Sequence, residues 1–507
     1  MRTLSRLLIT VAALASSGCA SGAPAAASAP MPDAGGAPPA LTAIAESDLR
    51  RDLFALAADS FRGREAGTID ELRASAWLAD RAREGGLEPA GDDGTYFQFW
   101  PMRRIRVGVA SRVAVGGTPL ALGRDVLATV PVDAVVDAPL VFVGEGRERD
   151  VATLDLKGKA VAAVISPPAM PPAANVSLRE YRYALVAIRE RAAFLVQRGA
   201  AAVVLVSDDT AERAWGFAGT AMSRGRYNLD SAGTDAPLAA QPPVLWVRRR
   251  ALDLVRAPNA RLVATLRAES FVYPSVNVVA RVPGADAALR GEHVLFSGHQ
   301  DHDGVRFAIE GDSIWNGADD NATVSVAMLA IGRAFARRPA RRSALFVWHG
   351  AEERGLIGSR WYVAHPTVPR ESIVAVLNGD MIGRNHPDSA ALLGVQPPHR
   401  NSAALVHAAL EANARVTRFA VDTTWDRPTH PEGWYFRSDH LPYARAGIPA
   451  IFFTTLLHPD YHTPRDEASR IDVAKLARMT RWMYATGWTV ANSERRPGLD
   501  AGFKLER

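Results

Sequence analysis

The chain has 507 residues, a length that suits two or three domains rather than one. Hydrophobic residues make up 48% and charged residues 22% of the sequence, the balance of an ordinary globular protein rather than a disordered or fibrous one. The net charge of +5 is scattered along the chain without a basic stripe, so we expect no nucleic acid as a partner.

The first residues have the pattern of a bacterial export signal. Arg2 and Arg6 give a positive start, and the apolar run over 7–15 is too short for a stable membrane span. Small residues then lead to Cys19, the single cysteine, so no intrachain disulfide is possible. The segment resembles a lipoprotein signal, in which the cysteine carries a lipid; cleavage without lipidation is the alternative. We expect a protein of the bacterial cell envelope that meets a membrane only through a lipid on Cys19, and that is otherwise periplasmic or secreted.

After this signal and an Ala/Pro-rich stretch, the predicted secondary structure divides the chain into three segments. Residues 43–104 include a helical pattern from Ile69 to about Glu84, closed by two glycines. Residues 105–268 contain short β-rich runs, split by turns and by one helix near 178–198. From 269 onward, β runs alternate with helices, which indicates an α/β fold with a mixed, mostly parallel sheet flanked by helices.

Histidines and carboxylates gather in the last of these segments. All twelve histidines lie between residues 293 and 462. Four predicted strands each precede polar residues: HVLFS precedes 298–301, ALFVWH precedes 350–353, IVAVLN precedes 379–380, and AIFFTT precedes the loop HPDYHTPRDE. Ligands of open α/β sheets bind beyond the carboxyl ends of the strands. We therefore predict a ligand-binding site at the edge of the sheet where these strands end.

A fifth donor comes from the stretch WNGADDNATV, in which Asp319 and Asp320 precede a predicted helix. An aspartate at this place is often only a helix cap, but beside the other four groups a ligand is favoured. Two histidines and three carboxylates suit a pair of zinc ions. In the doublet Glu352–Glu353, one carboxylate can bind metal while its neighbour takes a proton from water.

These motifs together resemble the co-catalytic zinc aminopeptidases of the aminopeptidase Y and glutamate carboxypeptidase type (peptidase clan MH). The resemblance covers GHQDHDG, NGADDNATV, GAEERGLIGSRWYV, NGDMIGRN, RSDHLPYARAGIPA and YHTPRDE, in that order. It implies five zinc ligands: His299, Asp320, Glu353, Asp380 and His462. Asp320 matches the bridging carboxylate.

The same resemblance assigns roles around the metals. Glu352 matches the general base, Asp301 the carboxylate that orients His299, and Tyr461 a tyrosine that donates to the oxyanion. Tyr435 is the alternative for that tyrosine. His302 and Asp303 are not expected to bind metal.

Residues 105–268 resemble a protease-associated domain through PLVFVGEG, LDLKGKAVAAVI and LVQRGAAAVVLVSD, although the family usually has an aromatic residue where Glu145 stands. The insert would thus split one peptidase domain. The predicted division is a signal over 1–19, a disordered tether over 20–42, the N-terminal part of the peptidase domain over 43–104, the insert over 105–268, the catalytic zinc peptidase domain over 269–492 and a tail over 493–507.

The expected function is that of an exported metallo-aminopeptidase. It would release N-terminal residues from peptides with a free N-terminus through a zinc-bound hydroxide, with Glu352 as base and two Zn²⁺ per chain; Co²⁺ or Mn²⁺ are alternatives. A zinc carboxypeptidase or dipeptidase would need a basic clamp, for which Arg384, Arg427 or Arg437 could serve. A one-zinc glutaminyl cyclase and a non-catalytic envelope binding protein acting through the insert are further alternatives.

Overall fold

The computed structural model describes residues 38–167, 179–230 and 241–505. The predicted signal, Cys19 and most of the predicted tether lie outside the described residues. None of the described helices has the length and apolar character needed to cross a membrane.

The described residues form twelve α-helices and twenty strands. The helices are α1 (Glu46–Leu56), α2 (Ile69–Glu84), α3 (Glu148–Val151), α4 (Arg179–Gln197), α5 (Asp209–Arg213), α6 (Trp215–Arg224), α7 (Leu252–Arg256), α8 (Thr323–Arg337), α9 (Ile357–Ala364), α10 (Ala403–Ala412), α11 (His440–Arg445) and α12 (Val473–Asn492). The strands are β1 (Glu88–Pro89), β2 (Phe97–Val107), β3 (Arg112–Val115), β4 (Thr118–Leu120), β5 (Val126–Ala128), β6 (Ala134–Phe142), β7 (Ala160–Val164), β8 (Ala202–Val206), β9 (Arg226–Leu229), β10 (Val244–Val247), β11 (Arg261–Leu266), β12 (Ala268–Val282), β13 (His293–His299), β14 (Gly304–Ile309), β15 (Asp312–Trp315), β16 (Ser343–His349), β17 (Ile373–Gly379), β18 (Ser389–Leu393), β19 (Ala420–Asp422) and β20 (Ala450–Thr454).

The larger sheet has ten strands in the order β19-β18-β20-β17-β13-β16-β12-β2-β9, with β1 beside β12. Its centre is parallel, because β16, β13, β17 and β20 run in the same direction, while β12, β2 and β9 add antiparallel strands at one side. The predicted mixed sheet is confirmed, with most of its parallel strands at the centre. All seven residues of β13, β16 and β17 are buried, which explains why these strands appear in the sequence as continuous apolar runs.

Helices cover both faces of this sheet. On one face α1, α2, α8, α10 and α12 bury a large core that includes Phe296 and Trp482. On the other face Tyr362 of α9 and Tyr443 of α11 pack over Leu295 and Leu345. Helix α2 confirms the predicted helix from Ile69; Thr68 caps it by accepting a hydrogen bond from the backbone N–H of Glu71.

A second sheet of eight strands forms the insert, in the order β4-β3-β11-β6-β7-β8-β10-β5. The chain leaves the larger sheet at the end of β2 and returns to it at the start of β12, where Val107 and Ala268 are paired. Between these points one strand of the insert segment, β9, pairs with β2 and belongs to the larger sheet. The sheet carries its own buried residues on both faces, all between 113 and 266. The predicted boundaries of the segments and the likeness of the insert to a protease-associated domain stay predictions.

Candidate metal centre

The carboxyl ends of four neighbouring parallel strands meet at one edge of the larger sheet. Strand β13 ends at His299, β16 ends at His349 three residues before Glu352, and β17 ends at Gly379 next to Asp380. The loop after β20 leads to His462. The edge that the sequence predicted is therefore where the structure places these side chains.

Their side chains form two groups. In the His299 group, ligand-capable atoms of His299, Glu352 and Asp380 lie within 4.8 Å of one another. In the His462 group, the same holds for His302, Asp320, Glu353 and His462. All five residues that the resemblance gives as zinc ligands belong to one of these groups, and each carries an imidazole or carboxylate suited to zinc.

Asp320 connects the two groups. Its Oδ1 lies 3.1 Å from Nε2 of His299, and its Oδ2 lies 3.1 Å from Nε2 of His462. The backbone is held in place by Asp466, whose carboxylate accepts hydrogen bonds from the N–H groups of Asp319 and Asp320. One carboxylate oxygen therefore faces each group, which is the placement that a bridging ligand needs.

Asp319 has a different neighbourhood. Its Oδ1 accepts hydrogen bonds from the backbone N–H of Gly383 and from the hydroxyl of Thr323, the first residue of α8. Gly317 precedes the pair with φ of 56°, and a Cβ there would lie 2.2 Å from the carbonyl oxygen of Asp320. The cap-like role and the metal-facing role are thus divided between two neighbouring aspartates.

The residues present fit metal ions. Nε2 of His299, Oε1 of Glu353 and both ring nitrogens of His302 are buried and make no hydrogen bond to the described residues. Buried polar atoms without partners are costly, so a cluster of them at one point indicates that a ligand satisfies them. Imidazole and carboxylate donors together suit zinc, and also accept other first-row metals.

The two adjacent glutamates have opposite electrostatic environments. Burial raises the pKa of Glu352 well above its usual range; the charge of His299 opposes this rise, and the carboxylates of Asp380 and Glu353 add to it. Burial also acts to raise the pKa of Glu353, but the charge of His462 and the contact with His302 outweigh it and hold this pKa well below its usual range. Glu352 is therefore the better proton acceptor and Glu353 the better permanent anion.

Asp301 holds the His299 group in a way that the sequence did not predict. Its backbone carbonyl lies 3.0 Å from Nδ1 of His299, whereas its carboxylate lies 3.9 Å from that nitrogen. The carboxylate instead accepts a hydrogen bond from the backbone N–H of Glu352 at 3.0 Å. Asp301 thus orients the imidazole through its main chain and the general-base candidate through its side chain.

Tyr461 is the tyrosine beside the metal centre. Its ring stacks on that of His462 with centroids 3.9 Å apart, and its hydroxyl accepts a hydrogen bond from Nη2 of Arg437 at 2.9 Å. The ring of Tyr435 stacks instead on His399 with centroids 4.2 Å apart. Tyr461 is therefore the better placed of the two candidates.

Three residues at the centre were not predicted from the sequence. Nδ1 of His302 lies 2.8 Å from Oε1 of Glu353, although His302 was not expected to bind metal. The carboxylate of Asp303 lies 3.5 Å from Nδ1 of His462. The hydroxyl of Ser438 donates to Asp380 at 2.8 Å. The high density of His and Asp in HQDHDG was a signal for the first two; Ser438 gave none.

Of the arginines considered for a substrate clamp, only Arg437 has a described side-chain contact with a predicted site residue. Its guanidinium also lies 2.8 Å from Glu432. Arg384 forms an ion pair with Asp460 at 2.7 Å, so its charge is balanced by a carboxylate of the protein.

Comparisons with known proteins agree with this geometry. The family described as Peptidase family M28 matches residues 277–487. A probable leucine aminopeptidase of Arthroderma benhamiae is 25% identical over 260 residues, which cover 48% of this chain and 65% of that protein. Aminopeptidase YwaD of Bacillus subtilis is 27% identical over 188 residues, 36% of this chain and 39% of that protein. The chain thus spans less than two thirds of the length of these curated relatives.

Solved structures show the same fold over most of the chain. The aminopeptidase from Aneurinibacillus sp. strain AM-1 aligns with a TM-score of 0.56 at 19% identity, covering 90% of this chain and 96% of that one. BSAP, a zinc aminopeptidase from Bacillus subtilis, aligns with a TM-score of 0.56 at 18% identity, covering 91% and 99%. At these identities the likeness is one of architecture.

Proposed function

Because residues 277–487 match Peptidase family M28, we propose that the protein is a zinc-dependent aminopeptidase acting on peptides with a free N-terminus. The observation that carries the proposal is the placement of Asp320, whose two carboxylate oxygens face His299 and His462 at 3.1 Å each. The names of the relatives, which are aminopeptidases, support this reading.

The proposed cofactor is two zinc ions per chain, with cobalt or manganese as alternatives. His299 and Asp380 would hold one ion, Glu353 and His462 would hold the other, and Asp320 would serve both. Such ions, when bound, polarise a scissile carbonyl and make a water molecule acidic near neutral pH.

Glu352 and Tyr461 are the proposed catalytic side chains. Glu352 takes a proton from the attacking water and returns it to the leaving amine, for which a raised pKa is favourable because the proton must be held between the two transfers. The hydroxyl of Tyr461, oriented by Arg437, donates to the oxyanion that forms on the substrate. The carboxylates of Glu352 and Asp380 in the His299 group would favour a substrate ammonium, which would give a preference for a free N-terminus.

The proposal is tested with a panel of aminoacyl anilides and short peptides, each with a free and an N-acetylated terminus. We expect cleavage of the free forms only, lost on chelation and restored by zinc. Glu352→Gln should lower kcat about 10²- to 10⁴-fold while bound zinc is unchanged. The matched control is Glu371→Gln, which changes an exposed glutamate outside both groups and should leave kcat unaltered.

The alternative functions predict different results with the same panel of substrates. Cleavage of blocked peptides from the C-terminal end would identify a carboxypeptidase or dipeptidase. Zinc bound by the protein without hydrolysis of any peptide would favour a non-catalytic binding protein. Wild-type turnover by a folded Glu352→Gln protein would contradict the proposed mechanism.

Export is the last part of the proposal, and the sequence around Cys19 supports it. We expect the mature protein to be held at the cell envelope by a lipid on this cysteine, with the insert acting as a protease-associated domain that shapes substrate access. Labelling with a fatty-acid probe in a bacterial host should mark the wild type and not Cys19→Ala. Equal labelling of both proteins would rule out lipidation at Cys19.

A further inference from the structure

A cavity of about 450 Å³ opens beside the His462 group and has walls from both parts of the chain. Glu353 and His462 form one side, so a substrate bound at the metal centre reaches this space. The insert segment forms the opposite side through α6 and β9, which contribute Phe217, Arg224 and Arg226. The cavity is thus part of the site and is built partly by the insert.

Positive charge dominates the wall of this cavity. Its lining includes four arginines: Arg224, Arg226, Arg306 and Arg354. We call the space the arginine cavity. Apart from the metal-facing Glu353, two carboxylates pair with these arginines. Asp303 contacts the side chains of Arg224, Arg306 and Arg354, and Glu65 lies 3.1 Å from Nε of Arg224. Even with Glu353 included, four cations face three anions, so positive charge is in excess.

Several of the guanidinium N–H groups are unused. Nε of Arg354 and Nε of Arg306 are buried and make no hydrogen bond with the residues described. Nη2 of Arg354 also makes no hydrogen bond, although it lies 3.6 Å from the carboxylate of Glu65. Arg226 is exposed at the cavity, and within the described ranges its side chain has no ion pair or hydrogen bond. Buried donors without acceptors are costly, so the cavity is suited to a ligand that brings acceptor oxygens.

Aromatic rings fix the orientation of two of these arginines. The guanidinium of Arg306 lies 4.5 Å from the ring centroids of both Phe217 and Trp315. That of Arg354 lies 5.5 Å from the ring of Tyr227. A planar guanidinium held in this way presents its donors in a fixed direction, which favours bidentate pairing with a carboxylate.

We propose that the arginine cavity is a carboxylate-binding subsite that selects peptides with a carboxylate close to the scissile bond. This inference rests on the proposed function and adds its substrate class. The carboxylate belongs either to an acidic side chain or to the C-terminus of a very short peptide. Because Arg224 and Arg226 come from the predicted insert, the insert contributes directly to this selection.

The test uses two pairs of substrates and one variant. Glutamyl and glutaminyl anilides differ only in the side-chain carboxylate, and a dipeptide and its C-terminal amide differ only in the terminal one. For at least one pair, the wild type should favour the acid in kcat/KM by about tenfold or more. Arg226→Gln should reduce that ratio about tenfold, since Arg226 has no partner to lose within the described structure. The control Arg338→Gln, at an exposed arginine after α8, should leave the ratio unchanged.

The outcomes separate this inference from the proposed function. The pair that shows the preference identifies the source of the carboxylate. Hydrolysis without preference for the acid in either pair would overturn the subsite while leaving the peptidase intact, as would an equal effect of Arg226→Gln on acid and amide. If no peptide is cleaved, the proposed function fails. Calorimetric binding of the same pairs to the zinc-loaded Glu352→Gln protein then decides the subsite: selective binding of the acid, lost with Arg226→Gln, supports it, and equal binding contradicts it.

Discussion

At the scale of single residues, neighbours with the same side chain perform different tasks because their surroundings differ. Glu352 shares the His299 group with one imidazole and one carboxylate, whereas Glu353 shares the His462 group with two imidazoles and one carboxylate. Asp319 and Asp320 divide in the same manner between the start of α8 and the metal centre. The residue type supplies the chemistry, and the local charge determines which protonation state is favoured.

His302 is expected to strengthen metal binding at the His462 group. Its ring is fully buried, and Nδ1 lies 2.8 Å from Oε1 of Glu353 without a hydrogen bond between them, so both atoms can bind the same ion. His302→Gln should lower the affinity for the more weakly bound zinc ion about 10- to 100-fold. The affinity is measured from the metal content of the protein during graded chelation. His407→Gln, an exposed histidine on α10, is the control. Unchanged zinc retention in His302→Gln would show that the ring only fills space.

Glu71 should make the stability of the metal-free protein depend on pH. Burial, together with the charge of Asp301, raises its pKa from 4.5 to about 8. Below about pH 4.5 the carboxyl is neutral in both folded and unfolded states, so its contribution to stability is fully present. Between pH 4.5 and 8 only the unfolded state loses the proton, so the free energy of unfolding falls as pH rises.

Glu71→Gln removes this titration. Relative to wild type, the variant should gain on the order of 3 kcal/mol in free energy of unfolding between pH 5.5 and pH 8. Denaturant unfolding at the two pH values, in the presence of a chelator, measures the change. Glu371→Gln, at an exposed position, should show no such trend. A difference between wild type and Glu71→Gln that is constant with pH would contradict the buried-carboxyl account.

At the scale of elements, the sequence predicts what depends on local pattern. Helix α2 could be predicted in full because Thr68 and Gly85 mark its ends, and the central strands could be predicted because their residues are apolar throughout. The position of His302 could not, because it depends on a distant contact. Arg64, fully buried, donates to the backbone carbonyl of Gln300, 236 residues away, and holds the turn that brings His302 inward.

Close packing of α12 on the sheet is expected to override helix propensity. A Cβ at Gly487 would lie 2.2 Å from the ring of Phe296. Gly487→Ala should therefore lower stability by about 1–3 kcal/mol, although alanine is the better helix former. Gly219→Ala in α6, where the nearest atom to the new Cβ is 3.8 Å away, should instead be neutral or stabilising by up to about 1 kcal/mol. The midpoints of thermal unfolding of the two variants are compared with that of the wild type. Equal shifts of the midpoint in both variants would show that packing around the new Cβ does not determine the change in stability.

At the scale of the whole molecule, metal binding joins segments that are far apart in the chain. Strand β13 brings His299, and the loop after β20 brings His462, with Asp320 between them in space. Ions held by these side chains stabilise the folded state only, so saturating zinc should raise the midpoint of thermal unfolding. Asp320→Asn should remove most of this rise. A midpoint that is independent of zinc would contradict a metal centre at this position.

The insert segment, which holds the second sheet together with α6 and β9, is expected to be dispensable for the metal centre but not for substrate choice. Its buried residues lie between 113 and 266, and the chain enters and leaves it through the paired residues Val107 and Ala268. An Asn-Gly turn in place of residues 108–267 would join β2 to β12 as a hairpin. The shortened protein should bind as much zinc as the full chain, because the ligands come from residues 299–462.

The shortened protein should lose the preference for carboxylate substrates, because Arg224 and Arg226 are removed. The full-length Arg226→Gln protein is the comparison. A shortened protein that folds and keeps the preference would place the selectivity outside the insert segment. One that folds without binding zinc would show that the insert segment supports the metal centre.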